Sequence, residues 1–454
     1  MSQTKSMVML AGAALSLGGV AVAEQSAAWT SQNADEVRAI VAEMLADSNT
    51  RSSLLQSGGT AGHDGKHFFL ASQDGNFRLN VSGQIQFRYY VNFRDDPNQG
   101  VGPAGPFVDD FDPGFETRRT KLEFSGHVFE PNLFYKVRGA FDRTGGPRTG
   151  GAFGLEDAYV GYKWDNGFSA QWGQFKLPFL KEESISSARQ LAVDRSLTNE
   201  VFNQDFSQAI QMAYTDEAFR AMFAFSDGLG SRNTSFGADP ADYALTGRVE
   251  FMWAGDWKQY DEFTSQRGSP YFGAIGAAVH FEDSPDVKGT IAGNTESLLY
   301  TIDLMMKGDG WNLFGAFIGS HIETAPAAAP SFDDFAFVAQ GGVYLADDFE
   351  IFGRWDAIIP DGDRTNGTAV ARSGNDMFNT VTGGFNYYMH GHAAKFTLDV
   401  QWNLDNPNDT AFTSGFSGGQ PGGVFGNPGG GIGFQNSGNE DNQFVVRAQF
   451  QLLF

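Results

Sequence analysis

Apolar and polar residues alternate along most of the chain after position 77. In the segment FRLNVSGQIQFRYYVNFR, residues 77–94, one parity carries apolar residues, tyrosine or glycine, and the other carries polar residues and one tyrosine. Because successive side chains of a strand point to opposite faces, this period of two predicts a strand with one apolar and one polar face. At about 3.3 Å per residue the segment would be about 60 Å long, which exceeds the usual length of a sandwich strand. The same alternation recurs at 297–307, 395–403 and 441–454.

Sixteen segments of the chain show this alternation. We predict strands at 77–95, 114–129, 133–144, 152–165, 168–179, 206–215, 217–227, 243–255, 269–283, 296–307, 311–323, 332–346, 349–360, 376–390, 392–404 and 441–454. Their connections alternate between short turns, such as 130–132 and 166–167, and long loops, such as 96–113 and 180–205. The connection 256–268 departs from this rule, because it is long where a short turn is expected. Together these features predict an all-β fold, a sixteen-stranded antiparallel transmembrane β-barrel of an outer membrane, whose lumen is wide enough for water.

The first residues have the pattern of a signal peptide. A positive charge at Lys5 precedes a largely apolar stretch that ends in the small-x-small sequence AVA at 21–23. Such a segment is typical of secreted precursors and is removed after export. We therefore divide the chain into a signal peptide at 1–23, a periplasmic N-terminal segment at 24–76 and a barrel at 77–454.

Residues 33–57 of the N-terminal segment are predicted to form a short periplasmic helix. Val37, Ile40, Val41 and Met44 recur at the spacing of one helix face. Two interpretations of this amphipathic helix stay open. It either packs against its own domain or serves as an oligomerisation or anchoring helix.

Composition excludes several classes of function. The chain contains no cysteine, so disulfides and cysteine nucleophiles are excluded. The net charge of −23 argues against a nucleic-acid partner, which would call for a basic surface. We predict no metal site, no cofactor and no catalytic residue. Two rival functions remain: a structural barrel that tethers the envelope through helix 33–57, and a barrel-borne hydrolase, for which changes at His280 or His321 would abolish activity.

Four stretches of the chain resemble the phosphate-selective porin O and P family. They are GFETRRTKLEFSGHVFEPNLFYKV (114–137), LEDAYVGYKW (155–164), GQFKLPFLKEE (173–183) and DRSLTNEVF (194–202). The resemblance implies an outer-membrane porin, usually a homotrimer, through which small hydrophilic solutes or ions diffuse. Its other partners would be outer-membrane lipid and the barrel-assembly machinery.

The resemblance also implies roles for particular segments. In this family the third long loop folds inward and narrows the pore, so we expect 180–205 to be a constriction loop, with a short helix over 182–192. A C-terminal aromatic residue after apolar alternate positions is similar to the signal by which outer-membrane barrels are recognised for insertion. Phe454 is therefore the candidate membrane-assembly residue. Named family members that select phosphate do so with stacked arginines and lysines.

The alternation assigns one set of charged residues to the lumen. The predicted pore-lining residues are Arg88, Arg119, Lys121, Glu123, Lys136, Arg138, Asp142, Asp157 and Lys163. The predicted constriction-loop residues are Lys181, Glu182, Glu183, Arg189, Asp194 and Arg195.

Two interpretations of the lumen charges stay open. Bases outnumber acids on the predicted lumen faces, whereas acids crowd the loops, for example Asp109 and Asp110. A basic lumen below an acidic rim would give a weak anion preference, with one basic patch formed by Arg119, Lys121, Lys136 and Arg138. Alternatively, the lumen charges pair across neighbouring strands and only keep the lumen wet.

Overall fold

The computed structural model describes residues 42–43, 59–93, 111–142, 152–236, 241–284, 295–324, 331–361, 377–405 and 443–454. Contacts divide the chain into two units, 1–59 and 60–454. In the first unit only Ala42 and Glu43 are described, and both are helical. The signal peptide at 1–23 and most of helix 33–57 lie outside the described residues, so both stay predictions.

The described part of the second unit is mainly β-structure. Its strands are β1 Thr60–His63, β2 Phe68–Ala71, β3 Arg78–Phe93, β4 Phe111–His127, β5 Leu133–Asp142, β6 Ala152–Lys163, β7 Phe168–Lys176, β8 Phe206–Thr215, β9 Phe219–Ser226, β10 Tyr243–Ala254, β11 Phe272–Ser284, β12 Thr295–Gly308, β13 Trp311–Thr324, β14 Phe332–Ala346, β15 Phe349–Ile359, β16 Phe378–His390, β17 Ala394–Asn403 and β18 Phe444–Leu453. Its helices are α1 Lys181–Ser184 and α2 Leu197–Phe202, together with 3-10 helices at Ser187–Arg189 and Trp257–Asp261.

Strands β3 to β18 form a closed ring. Each pairs antiparallel with the next along the chain, and β18 returns to pair with β3 over Gln84–Phe93. The predicted sixteen-stranded antiparallel barrel is therefore confirmed. Closure leaves no edge of the ring unpaired, which is the condition for β-structure in lipid. We call the end with the short connections the turn end and the opposite end the loop end.

The hairpin β1–β2 was not predicted from the sequence. Strand β2 pairs with Arg78–Val81 of β3, beside the point where β18 ends. Its two strands contain four residues each, which is too short for the period-two pattern to stand out.

The two faces of the barrel wall differ as the alternation predicts. On β18, Phe450 and Leu452 point outward and are exposed, whereas Arg447, Gln449 and Gln451 point inward and are buried. An apolar exterior with a polar interior is the arrangement of a transmembrane barrel. The described residues contain no helix that is long and apolar enough to span a membrane.

Candidate functional site in the barrel lumen

The connection between β7 and β8, residues 177–205, folds into the lumen. Strand β7 ends at Lys176, and Pro178 follows without the N–H group that would extend the pairing. Nearly all of the connection is buried. We call it the inward loop.

The inward loop contains short helical turns rather than the predicted helix over 182–192. Helix α1 ends at Ser184, and a separate 3-10 helix begins after Ser186, whose hydroxyl accepts a hydrogen bond from the Ala188 N–H at 3.3 Å. Helix α2 begins after Ser196, which accepts from the Asn199 N–H at 3.0 Å. Serine side chains that bind nearby backbone groups in this way compete with a continuous helix.

Asp194 anchors the inward loop to two strands. Its carboxylate accepts hydrogen bonds from Arg88 at 2.6 and 3.0 Å and from Arg119 at 2.6 Å. Burial alone would raise the pKa of Asp194, but the charges of Arg88 and Arg119 outweigh burial and hold this pKa well below its ordinary value. Asp194 is therefore ionised and joins β3 and β4 to the loop.

The backbone of the inward loop is held by the opposite wall. Asp399 of β17 accepts from the Val193 N–H at 2.9 Å and is itself bound by Arg447 at 2.7 and 2.9 Å. Arg354 of β15 donates to the Asp194 carbonyl at 2.9 Å, and Lys395 donates to the Gln190 carbonyl at the same distance. The loop thus crosses the lumen from β7–β8 to β15–β18.

The other predicted loop residues lie near the base of the loop. Glu183 contacts Lys176 and lies 3.1 Å from Arg195. Burial would raise the pKa of Glu183, but Arg195 and Lys176 lower it to about 2. Burial raises the pKa of Glu182, which accepts from the Ser196 N–H at 2.8 Å.

Two cations of the inward loop, Lys181 and Arg189, form no ion pair with a carboxylate of the described residues. Burial lowers the pKa of Lys181 to about 8, and its ammonium lies 3.4 Å from the centre of the Tyr260 ring. Arg189 is half-buried on its 3-10 helix and forms no ion pair with a described residue.

A β-bulge in β4 turns consecutive arginines into the lumen. Gln84 of β3 pairs with Lys121, but Gln86 pairs with Arg118, so two residues, Arg119 and Thr120, lie opposite the single residue Ile85. Arg119 has a φ of 54°, which is unusual for a residue other than glycine. Arg118 and Lys121 therefore share the lumen side with the inward-facing glutamines, and Arg119 reaches Asp194.

A second β-bulge, in β6, likewise turns two consecutive acids into the lumen. Arg138 pairs with Asp157, whereas its neighbour Gly139 pairs with Leu155, so Glu156 is the extra residue. Glu156 and Asp157 are both buried against lumen cations. Bulges re-aim side chains in this way. Strict alternation missed Arg118 and Glu156, and the doublets Arg118-Arg119 and Glu156-Asp157 are the signals that could have found them.

Most of the predicted pore-lining cations are paired with acids. Lys121 lies 2.5 Å from Glu156, and Lys136 lies 3.0 Å from Glu123 and 3.5 Å from Asp157. Arg138 lies within 4 Å of all three acids, the shortest distance being 2.7 Å to Asp157. The proposed basic patch is therefore largely neutralised across neighbouring strands, as the alternative interpretation expects.

Arg118 differs from these cations. It is half-buried, and it forms no hydrogen bond or ion pair with any residue in the described part of the chain. Its Nε atom is buried without a partner. The charges of Asp194 and Glu116 act on Arg118 from beyond ion-pair distance, so its guanidinium faces the lumen without a directly bound carboxylate.

Three further predicted residues lie outside this cluster. Lys163 is exposed at the turn end, with its ammonium 5.2 Å from the centre of the Phe134 ring. The side chain of Asp142 lies outside the described part. Phe454 is on the outer surface, where its backbone pairs with Gly83 at 2.7 and 3.1 Å and its ring lies over that glycine.

Exposure divides the charged wall into two sectors. Five charged side chains on β4, β5, β7 and β9 are 18–24% exposed, namely Glu123, Lys136, Arg138, Lys176 and Arg220, whereas Arg119 and Lys121 on β4 are 9% and 11% exposed. Side chains on β10, β12, β15, β17 and β18 are at most 3% exposed, namely Arg248, Asp303, Arg354, Asp356, Asp399 and Arg447. Water reaches the first group, which we call the open sector, more readily than the second.

Comparisons with known proteins agree with this architecture. A family model described as phosphate-selective porin O and P matches residues 107–411. No curated protein matches the sequence. An anion-selective porin from Comamonas acidovorans is 12% identical with a TM-score of 0.53, and the alignment covers 83% of this chain and 99% of that chain. The outer-membrane channel DcaP of Acinetobacter baumannii is 13% identical with a TM-score of 0.51, over 82% and 97% of the two chains.

A trimer form of OmpT, an outer-membrane protein of Vibrio cholerae, is 11% identical with a TM-score of 0.50, over 82% of this chain and 98% of that chain. At such identities these structures show a shared fold. The family match covers residues 107–411, which include the inward loop and both bulges. The chain therefore belongs to the phosphate-selective porin O and P family and is an outer-membrane channel.

Proposed function

We propose that this channel passes small hydrophilic solutes and ions with a weak preference for anions, and that Arg118 is the residue chiefly responsible. The inward loop is its constriction. The short turns face the periplasm, and the chain assembles as a homotrimer, for which the trimer form of the Vibrio cholerae protein is the precedent.

The unpaired guanidinium of Arg118 is the observation that supports an anion preference. The net charge of the chain is −23, which alone would favour cations. Salt mutes the loop charges, however, because at physiological ionic strength the Debye length is about 8 Å. Charges on the lumen wall act at shorter range, and those paired with an acid largely cancel. Arginine keeps its charge at every accessible pH.

We propose no enzymatic activity. His280 lies 2.8 Å from the Thr246 hydroxyl and 3.3 Å from Glu282, an arrangement that resembles a nucleophile with its base. Thr246 and His280 are both fully buried, so a substrate has no access to the hydroxyl. His321 pairs with Asp333 and Glu323 on the surface, and no hydroxyl donor is bound to it among the described contacts.

The first prediction tests the anion preference. Arg118→Gln should shift the reversal potential in a potassium chloride gradient towards cation preference. A unit charge about 8 Å from the ion path contributes roughly 0.5 kcal/mol in water, so we expect a roughly twofold change in the permeability ratio. Planar-bilayer recording of the purified channel measures it.

Arg267→Gln is the matched control. Arg267 is an exposed arginine that lies 3.7 Å from Asp347 at the turn end, so its loss should leave the reversal potential unchanged. A channel whose selectivity is the same before and after Arg118→Gln would contradict the proposed role.

A further inference from the structure

The connection between β10 and β11 is a second segment that folds into the lumen. Asp256 accepts a hydrogen bond from the Lys258 N–H at 2.7 Å, and the Gln259 side chain accepts from the Asp256 N–H at 2.9 Å. This capping box starts the 3-10 helix Trp257–Asp261. Tyr260 within this helix and Phe263 after it are 0% and 1% exposed. We call residues 256–265 the lumen turn.

The lumen turn is bound to the wall beside its own strands. The Tyr260 hydroxyl donates to Asp303 at 2.8 Å and accepts from Arg248 at 3.3 Å. The Lys307 ammonium donates to three backbone carbonyls of the turn, including that of Glu262 at 2.7 Å. The lumen turn thus binds three buried charged side chains of the wall, Arg248, Asp303 and Lys307.

The far end of the lumen turn reaches the opposite part of the wall. The Thr264 hydroxyl lies 3.0 Å from the Tyr388 hydroxyl on β16. The Glu262 carboxylate lies 3.3 Å from His392, between β16 and β17. The lumen turn therefore crosses the lumen at the turn end of the barrel, on the side that strands β11 to β16 line.

The inward loop packs on the lumen turn. The Lys181 ammonium sits over the Tyr260 ring, a cation–π contact. Ile185, Leu191 and Ala192 of the loop form one buried apolar cluster with Tyr260 and Phe263 of the turn. Side chains of the wall complete this cluster, which excludes water from that part of the lumen.

We propose that the lumen turn positions the inward loop and blocks the lumen beside β11–β16, so that solutes pass only along the open sector. The proposal rests on the inward loop being the constriction. The partly exposed Lys136 and Arg138 mark the remaining route, and Trp257, under the Arg220 guanidinium at 4.1 Å, forms its boundary. A route confined to one side makes the lumen turn a determinant of the size of solute that passes.

Cysteine accessibility tests the second prediction, because the chain contains no native cysteine. Lys136→Cys places a thiol in the open sector, and Met305→Cys places one behind the lumen turn, where Met305 is 0% exposed. In otherwise native channels, a membrane-impermeant methanethiosulfonate reagent should modify Lys136→Cys and reduce its current, and should leave Met305→Cys unmodified. Equal reactivity of the two thiols would overturn the proposal.

Loosening the turn should open the blocked side. Adding Tyr260→Ala to Met305→Cys should raise the modification rate of the thiol at least about tenfold, because removing a buried aromatic side chain leaves a cavity that favours local opening. Single-channel conductance should rise in the same variant. Tyr260→Phe, which keeps the ring, and Arg267→Ala, outside the turn, should behave like the native chain.

The outcomes separate the roles of the two segments. Tyr260→Ala channels with native conductance and a protected Met305→Cys would overturn the proposal. If Tyr260→Ala does not insert, the thiols of the otherwise native channels decide alone. If deletion of the inward loop leaves conductance unchanged while Met305→Cys stays protected, the proposed constriction fails and the block by the lumen turn stands.

Discussion

At the scale of single residues, the electrostatics of the lumen depend on which charged side chains form ion pairs rather than on how many charges there are. Arg118 and Arg119 are adjacent and chemically identical, yet Arg119 binds Asp194 at 2.6 Å and Arg118 binds no described residue. A β-bulge turns both side chains inward from a strand that would otherwise point them apart, and of the two only Arg119 comes within ion-pair distance of Asp194. Pairing between distant segments is invisible in a count of lumen charges, so the sequence left open whether these charges form a basic patch or ion pairs, and the structure has ion pairs.

The third prediction concerns Glu183. Its pKa is lowered to about 2, so its stabilising contribution is fully present above the ordinary value near 4.5 and is lost only as pH falls through about 2. This carboxylate should therefore hold the inward loop unchanged between pH 7 and pH 5. Glu183→Gln removes the charge at every pH and leaves Lys176 and Arg195 without it, a loss of roughly 3 kcal/mol for a buried pair.

Single-channel recordings at both pH values check this. Glu183→Gln should show noisier and larger currents already at pH 7. Glu217→Gln, an exposed acid in the turn between β8 and β9, is the control and should match the native chain. Quiet, native-sized currents from Glu183→Gln would mean that the ion pair does not hold the loop.

At the scale of elements, the barrel strands are predictable from sequence and the lumen segments are much less so. Lipid outside and water inside impose opposite polarity on alternate residues, so the segment 77–95 was recognised and β3 is observed at Arg78–Phe93. The lumen turn depends on contacts with residues far away in sequence, such as Tyr388 and His392, and only its unexpected length was visible. The position of the inward loop was expected from family resemblance rather than from periodicity.

The fourth prediction concerns the seam where β18 meets β3. The Phe454 ring covers Gly83 so closely that a Cβ atom on this glycine would collide with the ring. Phe454→Asp should lower the amount of protein in the outer membrane, because it uncovers the seam and adds a charge that costs up to about 1 kcal/mol near the membrane interface. Phe454→Tyr keeps the ring and should insert normally. Membrane fractionation measures both, and equal yields would argue against an assembly role for Phe454.

At the scale of the whole molecule, the wall and the lumen segments are held by different forces. The wall is a closed ring of backbone hydrogen bonds with an apolar exterior, a combination that lipid itself favours. The inward loop is attached through side chains, chiefly Asp194, Asp399 and Arg354. The barrel wall should therefore stay folded when the inward loop is removed, since its buried cations would then face pore water rather than an apolar medium.

The fifth prediction is that the barrel survives removal of the inward loop. Replacing 181–204 with a short Gly-Ser linker should leave β-rich circular dichroism and the difference in gel mobility between boiled and unboiled samples. Single-channel conductance should rise, because the crossing from β7–β8 to β15–β18 is gone. The native chain, boiled and unboiled, is the reference for both measurements.

A variant that loses its gel shift would show that the wall depends on the loop for stability. A correctly folded variant with native conductance would show instead that ions already bypass the loop, and the limiting section of the pore would then have to lie at the lumen turn or in the loops above the barrel.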